Sequence, residues 1–282
     1  MKNAMQLKAL IKNFALDKEI MPQAVLQNYM LERLLERMSR SQYKDKFILK
    51  GGMLIAALIG IDIRTTMDMD ATLKNMTLTK ESVTKALNDI FSIQLNDNIT
   101  FNLLKIENIR DDDVYGGYRA SINAAFDTLN VTLKIDLTTG DKITPKEVKY
   151  KFNLLFEDRA INILAYNPET ILAEKYETIL RRSVLNTRIR DFYDVYILIK
   201  LLLHNIDKAL LLQAIEATAN KRESTALLDN AKSIIEIIKN DEEMQSRWTL
   251  YQKDFSYAKD ISWYQVIAVI EKIQNWTFLP AV

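Results

Sequence analysis

The chain contains no cysteine and a single histidine, His204, among its 282 residues. The missing cysteines exclude disulfide bonds, thiolate catalysis, and zinc or iron–sulfur sites that use cysteine ligands. One histidine excludes a metal site built from several histidines and argues against a Ser-His-Asp triad. Glycine and proline are also scarce, at six and four residues, so long uninterrupted helices are expected.

Net charge and hydropathy bear on three properties: nucleic-acid binding, membrane insertion and secretion. The formal net charge is +1, so a nucleic-acid partner would have to be met by a local basic patch. The apolar run Leu54–Ile61 is far shorter than the ~18 residues of a membrane span. Lys8, Lys12 and Lys18 are spread through the N-terminus, unlike the charged-then-apolar order of a secretory signal. We therefore expect a cytoplasmic protein with no membrane partner.

Hydrophobic periodicity predicts an α/β (α+β) fold, with a mixed sheet and flanking helices followed by a helical region. Strands are predicted over Phe47–Leu49, Thr66–Leu73, Tyr118–Phe126 and Val131–Leu137, the last two joined as a hairpin through 127–130. Helices are predicted over Ala4–Leu16, Pro22–Met38, Met53–Ile59, 80–93, Pro168–Arg182, Phe192–Leu203, Asp207–Thr218, Ser224–Lys239 and Trp263–Trp276. The expected domains are residues 1–165 and 166–282.

Acidic residues on two predicted strands are the first candidate site. Asp68 and Asp70 alternate with apolar residues, so their carboxylates point the same way, and Asp136 lies on the polar face of another strand. Gly51-Gly52 opens a helix upstream, where free backbone N–H groups suit a phosphate. Together these residues suit Mg²⁺ ions that hold a nucleoside triphosphate. A glycine turn with three surface aspartates is the alternative. The run Asp111–Asp113 is expected in a solvated loop.

A lysine and two aspartates form a second candidate group. Lys175 flanks the apolar stripe of its predicted helix, where it either binds an anion or covers apolar surface while its head reaches water. Asp191 and Asp194 are three residues apart at the start of a buried helix. They either cap that helix or present carboxylates to a cleft.

The densest basic cluster consists of four arginines, Arg181, Arg182, Arg188 and Arg190. Such a cluster can contact the phosphates of a polynucleotide. Because acidic residues are interleaved with it, a salt-bridged surface is the alternative.

These segments together resemble the AbiEii/AbiGii family of nucleotidyltransferase toxins, the toxin half of bacterial abortive-infection and toxin–antitoxin pairs. The resemblance runs from about Gln27 to Leu198. The segments that carry it, in order, are Phe47–Met53, Arg64–Asp70, Lys134–Asp136, Ala173–Tyr176 and Arg190–Tyr196. Each is a weak signal alone, and their order and spacing make the signal specific.

The resemblance implies a nucleotidyltransferase-like fold and a role for each matched residue. Asp68 and Asp70 would bind Mg²⁺, and Asp136 would join them or act as a base. The triphosphate would be held by Gly51 and Gly52. The remaining implied roles are nucleotide binding by Arg64, phosphate contact by Lys175, and an essential carboxylate at Asp191 or Asp194.

One position departs from the wider superfamily, which has Gly-Ser where this chain has Gly51-Gly52. A serine hydroxyl on the terminal phosphate is therefore missing. The resemblance implies transfer of a nucleoside monophosphate from an NTP to a cellular acceptor, such as a tRNA 3′ end. A neighbouring antitoxin, which need not bind the toxin, is the implied partner. Two alternatives are an NTP- or RNA-binding module without turnover and a nucleotidyltransferase that modifies a small molecule such as an antibiotic.

Overall fold

The computed structural model describes residues 3–109 and 116–278, with side chains described through residue 276. The chain divides into two compact units. One, the sheet unit, comprises Met1–Asp141 and Glu147–Tyr166. The other, the helical unit, comprises Lys142–Lys146 and Asn167–Val282. The acidic run Asp111–Asp113 lies outside the described residues.

The described part of the sheet unit contains four α-helices. They are α1 (Ala4–Asp17), α2 (Pro22–Arg40), α3 (Gly51–Ile59) and α4 (Lys80–Phe91). Pro22 opens α2, where its missing N–H leaves no bond unmade. Thr79 caps α4 through reciprocal 3.1 Å hydrogen bonds with Ser82. The predicted start of α3 at Met53 is wrong by two residues, because the helix begins at Gly51.

A mixed sheet of seven strands forms the centre of this unit. The strands are β1 (Phe47–Lys50), β2 (Asp68–Leu73), β3 (Thr100–Ile109), β4 (Gly117–Phe126), β5 (Leu129–Thr139), β6 (Val148–Asn153) and β7 (Ala160–Ala165). Their order across the sheet is β3-β4-β5-β2-β1-β7-β6. The pairs β2–β5 and β1–β7 are parallel, and the other neighbours are antiparallel.

Two predicted boundaries in the sheet are wrong. Strand β2 begins at Asp68, not Thr66, since the Thr66 carbonyl accepts a 2.5 Å hydrogen bond from the Asn28 side chain. The β4–β5 hairpin turns through two residues, not four, because Phe126 pairs with Leu129. Asp127 adopts a φ of 54° in that turn, the left-handed region that aspartate tolerates better than most residues. The prediction also omitted β3, β6 and β7.

The helical unit carries the remaining helices. They are α5 (Pro168–Arg182), α6 (Ile189–Leu202), α7 (Lys208–Lys221), α8 (Thr225–Asp229), α9 (Ala231–Asn240), α10 (Glu242–Asp254) and α11 (Trp263–Phe278). The single helix predicted over Ser224–Lys239 is wrong, because Asn230, at φ −100° and ψ 6°, separates α8 from α9. Helix α10 was not predicted, although Asp241 caps it through the Met244 N–H at 2.8 Å.

The two faces of the sheet differ in polarity. Met69, Ala71 and Ile135 are fully or almost fully buried on one face, against which α2 packs. Burial of these side chains supplies the main stabilisation of the unit. The alternate residues of β2 and β5 project from the other face and include the acidic candidates. Among the described helices, none is both long and apolar enough to cross a membrane.

Candidate active site

Four charged residues form a row across the centre of the sheet. Lys50 pairs with Asp70, Asp70 with Asp136, and Asp136 with Arg119, on the strands β1, β2, β5 and β4. Directly paired residues project from the same face of a sheet. The row therefore reads positive, negative, negative, positive. Asp68 is two residues before Asp70, so it projects from this face as well, and it is exposed.

Gly51 lies against the Asp70 carboxylate. A β-carbon at Gly51 would be 2.0 Å from Asp70 Oδ2, and the residue has a φ of +64°. The N–H of Gly52 donates to the same oxygen at 3.4 Å. The backbone at the start of α3 thus contacts one of the carboxylates that the sequence grouped with it, and only glycine fits the first position.

The second glycine makes room for Arg64. A β-carbon at Gly52 would lie 2.5 Å from Arg64 Nη1 and 2.6 Å from Thr66 Oγ1. Arg64 is 4% exposed, and its Nη1 donates to the Thr65 carbonyl at 2.8 Å. A guanidinium therefore occupies the space into which a serine side chain would project from this position.

The pKa of Asp70 lies above the ordinary value of an aspartate. Desolvation within the fold raises its pKa, and the neighbouring charge of Asp136 raises it further. Lys50 and the Gly52 N–H act in the opposite direction but do not cancel the shift. A cation bound at this carboxylate would offset the cost of its partly desolvated charge.

Lys50 is a residue of this face that sequence reasoning missed. Its Nζ is 2.6 Å from Asp141 Oδ2, which also accepts from Thr138 Oγ1 at 2.7 Å. Burial alone would raise the pKa of Asp141, but Lys50 and the hydrogen bonds of Thr138 and Thr72 hold it below its ordinary value. Asp141 thereby fixes the ammonium beside Asp70.

Arg119 is the second residue that was missed. It forms a bidentate pair with Asp136, with Nε–Oδ1 at 2.7 Å and Nη2–Oδ2 at 2.6 Å. Its side chain is 42% exposed, and the hydrogen bond to Asp136 raises its pKa. Asp68 and Asp70 also contribute to that rise. The guanidinium thus partly neutralises the acidic face, which is the sheet face that bears Asp68, Asp70 and Asp136.

The acidic face offers oxygen donors of the kind that Mg²⁺ prefers. Within residues 3–109 and 116–278, no group of three or more histidine, aspartate or glutamate side chains is arranged to hold a metal ion. Asp68, Asp70 and Asp136 nonetheless share one face, and the repulsion between Asp70 and Asp136 favours a cation there. The donor chemistry fits magnesium.

Lys175 joins both candidate aspartates in the helical unit. Its Nζ on α5 lies 2.6 Å from Asp191 Oδ1 and 2.8 Å from Asp194 Oδ2 on α6. The exposed fractions of the three side chains are 15%, 14% and 0%. Lys175 does not extend to water, so that alternative is wrong. Neither aspartate caps α6, which is preceded by Arg188 with no side-chain cap, but Asp191 lies in the first turn, where its charge complements the helix dipole.

The arginine cluster separates into two pairs. Arg181 Nε lies 3.2 Å from Glu177, as the salt-bridge alternative predicts, and Arg182 is likewise engaged within the fold. Among the described residues, no carboxylate lies within salt-bridge distance of Arg188 or Arg190. The Arg190 guanidinium instead lies 4.7 Å from the centre of the Phe255 ring.

Comparisons with solved structures bear on the fold of the chain. A comparison with curated protein sequences finds no match. The crystal structure of JHP933 from Helicobacter pylori superposes with a TM-score of 0.51 at 14% identity, covering 90% of this chain and 93% of that one. A second H. pylori structure, assigned as a nucleotidyltransferase, gives 0.50 at 14% identity, covering 92% and 97%. Both show the shared fold.

A family-level comparison identifies the chain. Residues 33–272 match the family described as "Nucleotidyl transferase AbiEii toxin, Type IV TA system". The matched range contains the acidic face, the Gly51-Gly52 helix start and the Lys175 cluster. The chain therefore belongs to the AbiEii family of nucleotidyltransferases, the toxins of type IV toxin–antitoxin systems.

Proposed function

We propose that this toxin transfers a nucleoside monophosphate from an NTP to the 3′ end of tRNA in a Mg²⁺-dependent reaction. The observation that carries the proposal is the pairing of Asp70 with Asp136 across neighbouring strands, against the glycine helix start. Two carboxylates side by side next to a glycine helix start are typical of phosphoryl-type transfer that relies on metal ions.

The residues of the acidic face and their neighbours have different roles in this reaction. Asp68 and Asp70 would hold Mg²⁺, with Asp136 as a third ligand or as the base that receives the proton of the acceptor hydroxyl. Bound Mg²⁺ supplies positive charge to the triphosphate and its pyrophosphate leaving group. Burial raises the pKa of Asp70, and the positive charge of Lys50 opposes that rise. Gly51 lets the backbone approach this carboxylate.

Arg64 takes the place of the missing serine in this proposal. Its guanidinium lies where the serine side chain would project from Gly52. An arginine offers several N–H donors in a planar fork that matches phosphate oxygens. We therefore assign the phosphate grip to Arg64 and to the backbone of Gly51 and Gly52.

Lys175 provides a further phosphate contact. The Lys175 ammonium lies 2.6 Å from Asp191 and 2.8 Å from Asp194, and in this proposal it also contacts a phosphate oxygen through its positive charge. Asp194 is fully buried and anchors the ammonium, whereas Asp191 is partly exposed.

Growth arrest would follow if nucleotides added to the tRNA 3′ end prevent aminoacylation. An NTP donor and a tRNA acceptor place the reaction in the cytoplasm. As a type IV system, the pair includes an antitoxin, which in this proposal counteracts the toxin and need not bind it. Defence against phage by abortive infection is the proposed physiological role.

The test is incubation of purified protein with each α-labelled NTP, Mg²⁺ and total tRNA. We expect label in RNA from one NTP with the wild type and at least a hundredfold less with Asp68→Asn. Asp17→Asn, at a carboxylate 71% exposed on α1, is the matched control and should label normally. Label that enters only a small-molecule fraction, or RNA labelling unchanged by Asp68→Asn, would contradict the proposal.

A further inference from the structure

Among the described residues, Arg190 has no acidic partner. Its guanidinium stacks on Phe255, 4.7 Å from the ring centre, and no carboxylate of the described chain lies within salt-bridge distance. It is also only partly buried. A cation on an aromatic ring that keeps an open side can still bind a further flat group, because guanidinium planes stack readily on rings.

Two partly exposed aromatic rings continue this surface. Phe255 and Tyr257, in the segment between α10 and α11, are stacked with centres 5.3 Å apart and an interplanar angle of 27°. Apolar rings left partly in water outside a core have an energetic cost that binding can recover.

Two buried tyrosines contact Tyr257 and hold the stacked pair of Phe255 and Tyr257 in place. Tyr193 lies 4.8 Å from Tyr257 between ring centres, and the Tyr251 and Tyr257 hydroxyls are 3.0 Å apart. Both supporting tyrosines are buried. The rings therefore form a fixed surface, and little conformational entropy would be lost when a ligand stacks on it.

The position of this surface relates it to the Lys175 cluster. Arg190 directly precedes Asp191, whose carboxylate accepts from Lys175 at 2.6 Å. The charge of Asp194 also reaches Tyr251 and contributes to the raised pKa of that phenol, which burial mainly causes. The aromatic surface thus adjoins a group to which the proposed function assigns a phosphate.

We propose that Arg190, Phe255 and Tyr257 form a stacking site for a nucleobase. This inference rests on the proposed function, since the base belongs either to the donor NTP or to the 3′ end of the RNA acceptor. Stacking on aromatic and guanidinium planes is how proteins bind unpaired bases, and it tolerates different base identities. Arg190 adds positive charge next to the phosphates of that nucleotide.

The test uses 2-aminopurine, whose fluorescence is quenched when it stacks. One probe is the riboside triphosphate of 2-aminopurine, and the other is an RNA oligonucleotide with 2-aminopurine at its 3′ end. We expect quenching by the wild type, affinity about tenfold weaker for Phe255→Ala, and retention by Phe255→Trp, which keeps a ring. Lys200→Gln is the control, because Lys200 stacks on Tyr196 elsewhere on α6. The probe that responds identifies the source of the base.

An oligonucleotide with an abasic 3′ position separates stacking from general damage. Phe255→Ala should leave its affinity unchanged. The inference is overturned if neither probe is quenched by the wild type, or if Phe255→Ala weakens the abasic and base-containing RNAs equally. Because binding is measured without turnover, wild type that labels tRNA but quenches neither probe contradicts this inference alone. Quenching without any label transfer contradicts the proposed function alone.

Discussion

Gly51 and Asp70 show how single residues determine the geometry of the acidic face. Two constraints coincide at Gly51, a φ of +64° and a carboxylate oxygen 2.0 Å from the position of a β-carbon. The Cβ of Asp70 would itself be 2.8 Å away, and that atom belongs to the backbone-fixed part of β2. A side chain at Gly51 would therefore have to displace the strand and not only a flexible side-chain end.

We expect Gly51→Ala to destabilise the protein by about 2 kcal/mol or more, from left-handed strain and from the overlap with Asp70. Nucleotidyl transfer should fall with it, because the displaced carboxylate is a proposed metal ligand. Urea unfolding and the tRNA-labelling assay measure the two effects. Gly116→Ala is the control, since a β-carbon there meets nothing within 4 Å. Normal labelling by a Gly51→Ala variant would show that the contact with Asp70 is dispensable.

The sequence did not predict which residues lie side by side on neighbouring strands, because it does not reveal the register of strand pairing. Alternation alone placed Asp68, Asp70 and Asp136 on polar strand faces. It could not reveal Lys50 or Arg119 as their neighbours, because cross-strand pairing depends on a register that no single strand encodes. A slip of one residue would have turned either side chain to the opposite face.

At the scale of elements, an ionic cluster joins α5 to α6. Asp194 is fully buried and depends on Lys175 for its counter-charge. Loss of one partner from a buried ionic contact leaves an uncompensated charge, which costs more than the contact itself contributes. The cluster therefore has a structural role in addition to the proposed phosphate contact, and the two roles can be separated experimentally.

We expect Lys175→Met to destabilise the helical unit by about 3 kcal/mol, because it removes the ammonium that lies 2.6 Å from the Asp191 carboxylate and 2.8 Å from that of Asp194. Adding Asp194→Asn should restore much of that stability but none of the activity. Tryptophan fluorescence during urea unfolding reports this unit, which contains Trp248 and Trp263. Lys200→Met, at an exposed lysine of α6, serves as the control. If the double variant is as unstable as the single one, charge burial is not the cause.

Elements with explicit end signals were predictable, and those that depend on tertiary pairing were not. Thr79 and Asn167 each cap a helix through a hydrogen bond that the sequence signals. Strand β3 lies at the sheet edge and contains an irregular register between Leu103 and Lys105. That irregularity interrupts the alternation by which strands are recognised. The break at Asn230 is likewise local backbone geometry that periodicity does not encode.

At the scale of the whole molecule, a buried charged network on α2 makes stability depend on pH. Glu32 is 1% exposed and accepts from Arg33 at 2.6 Å and from the Leu155 N–H at 2.6 Å. Burial nevertheless raises the pKa of Glu32 to about 7, against the opposing effect of Arg33. Glu36 and Glu157 are shifted in the opposite direction, since Arg159 and Arg33 hold the pKa of each below its ordinary value despite burial.

The signs of these shifts separate two pH windows. The raised pKa of Glu32 means that the folded state binds its proton more tightly than the unfolded chain does. Its contribution is therefore fully present below about pH 4.5 and is lost as pH rises through about 7. The lowered pKa values of Glu36 and Glu157 contribute stability that is lost as pH falls below their unfolded values. Between pH 5 and 8, Glu32 contributes more to the change in the free energy of unfolding than Glu36 or Glu157 does.

We expect Glu32→Gln to gain stability relative to the wild type as pH rises from 5 to 8, by up to about 3 kcal/mol, because the amide carries no charge to bury. Both proteins are compared by hydrogen exchange of α2 peptides, corrected for the intrinsic pH dependence, since the tryptophans all lie in the helical unit. Glu107→Gln, at a side chain 47% exposed in the same unit, should follow the wild type at every pH. A constant difference between Glu32→Gln and the wild type would mean that Glu32 does not titrate in this window. In that case its contacts with Arg33 and Leu155 would outweigh the cost of burying its charge.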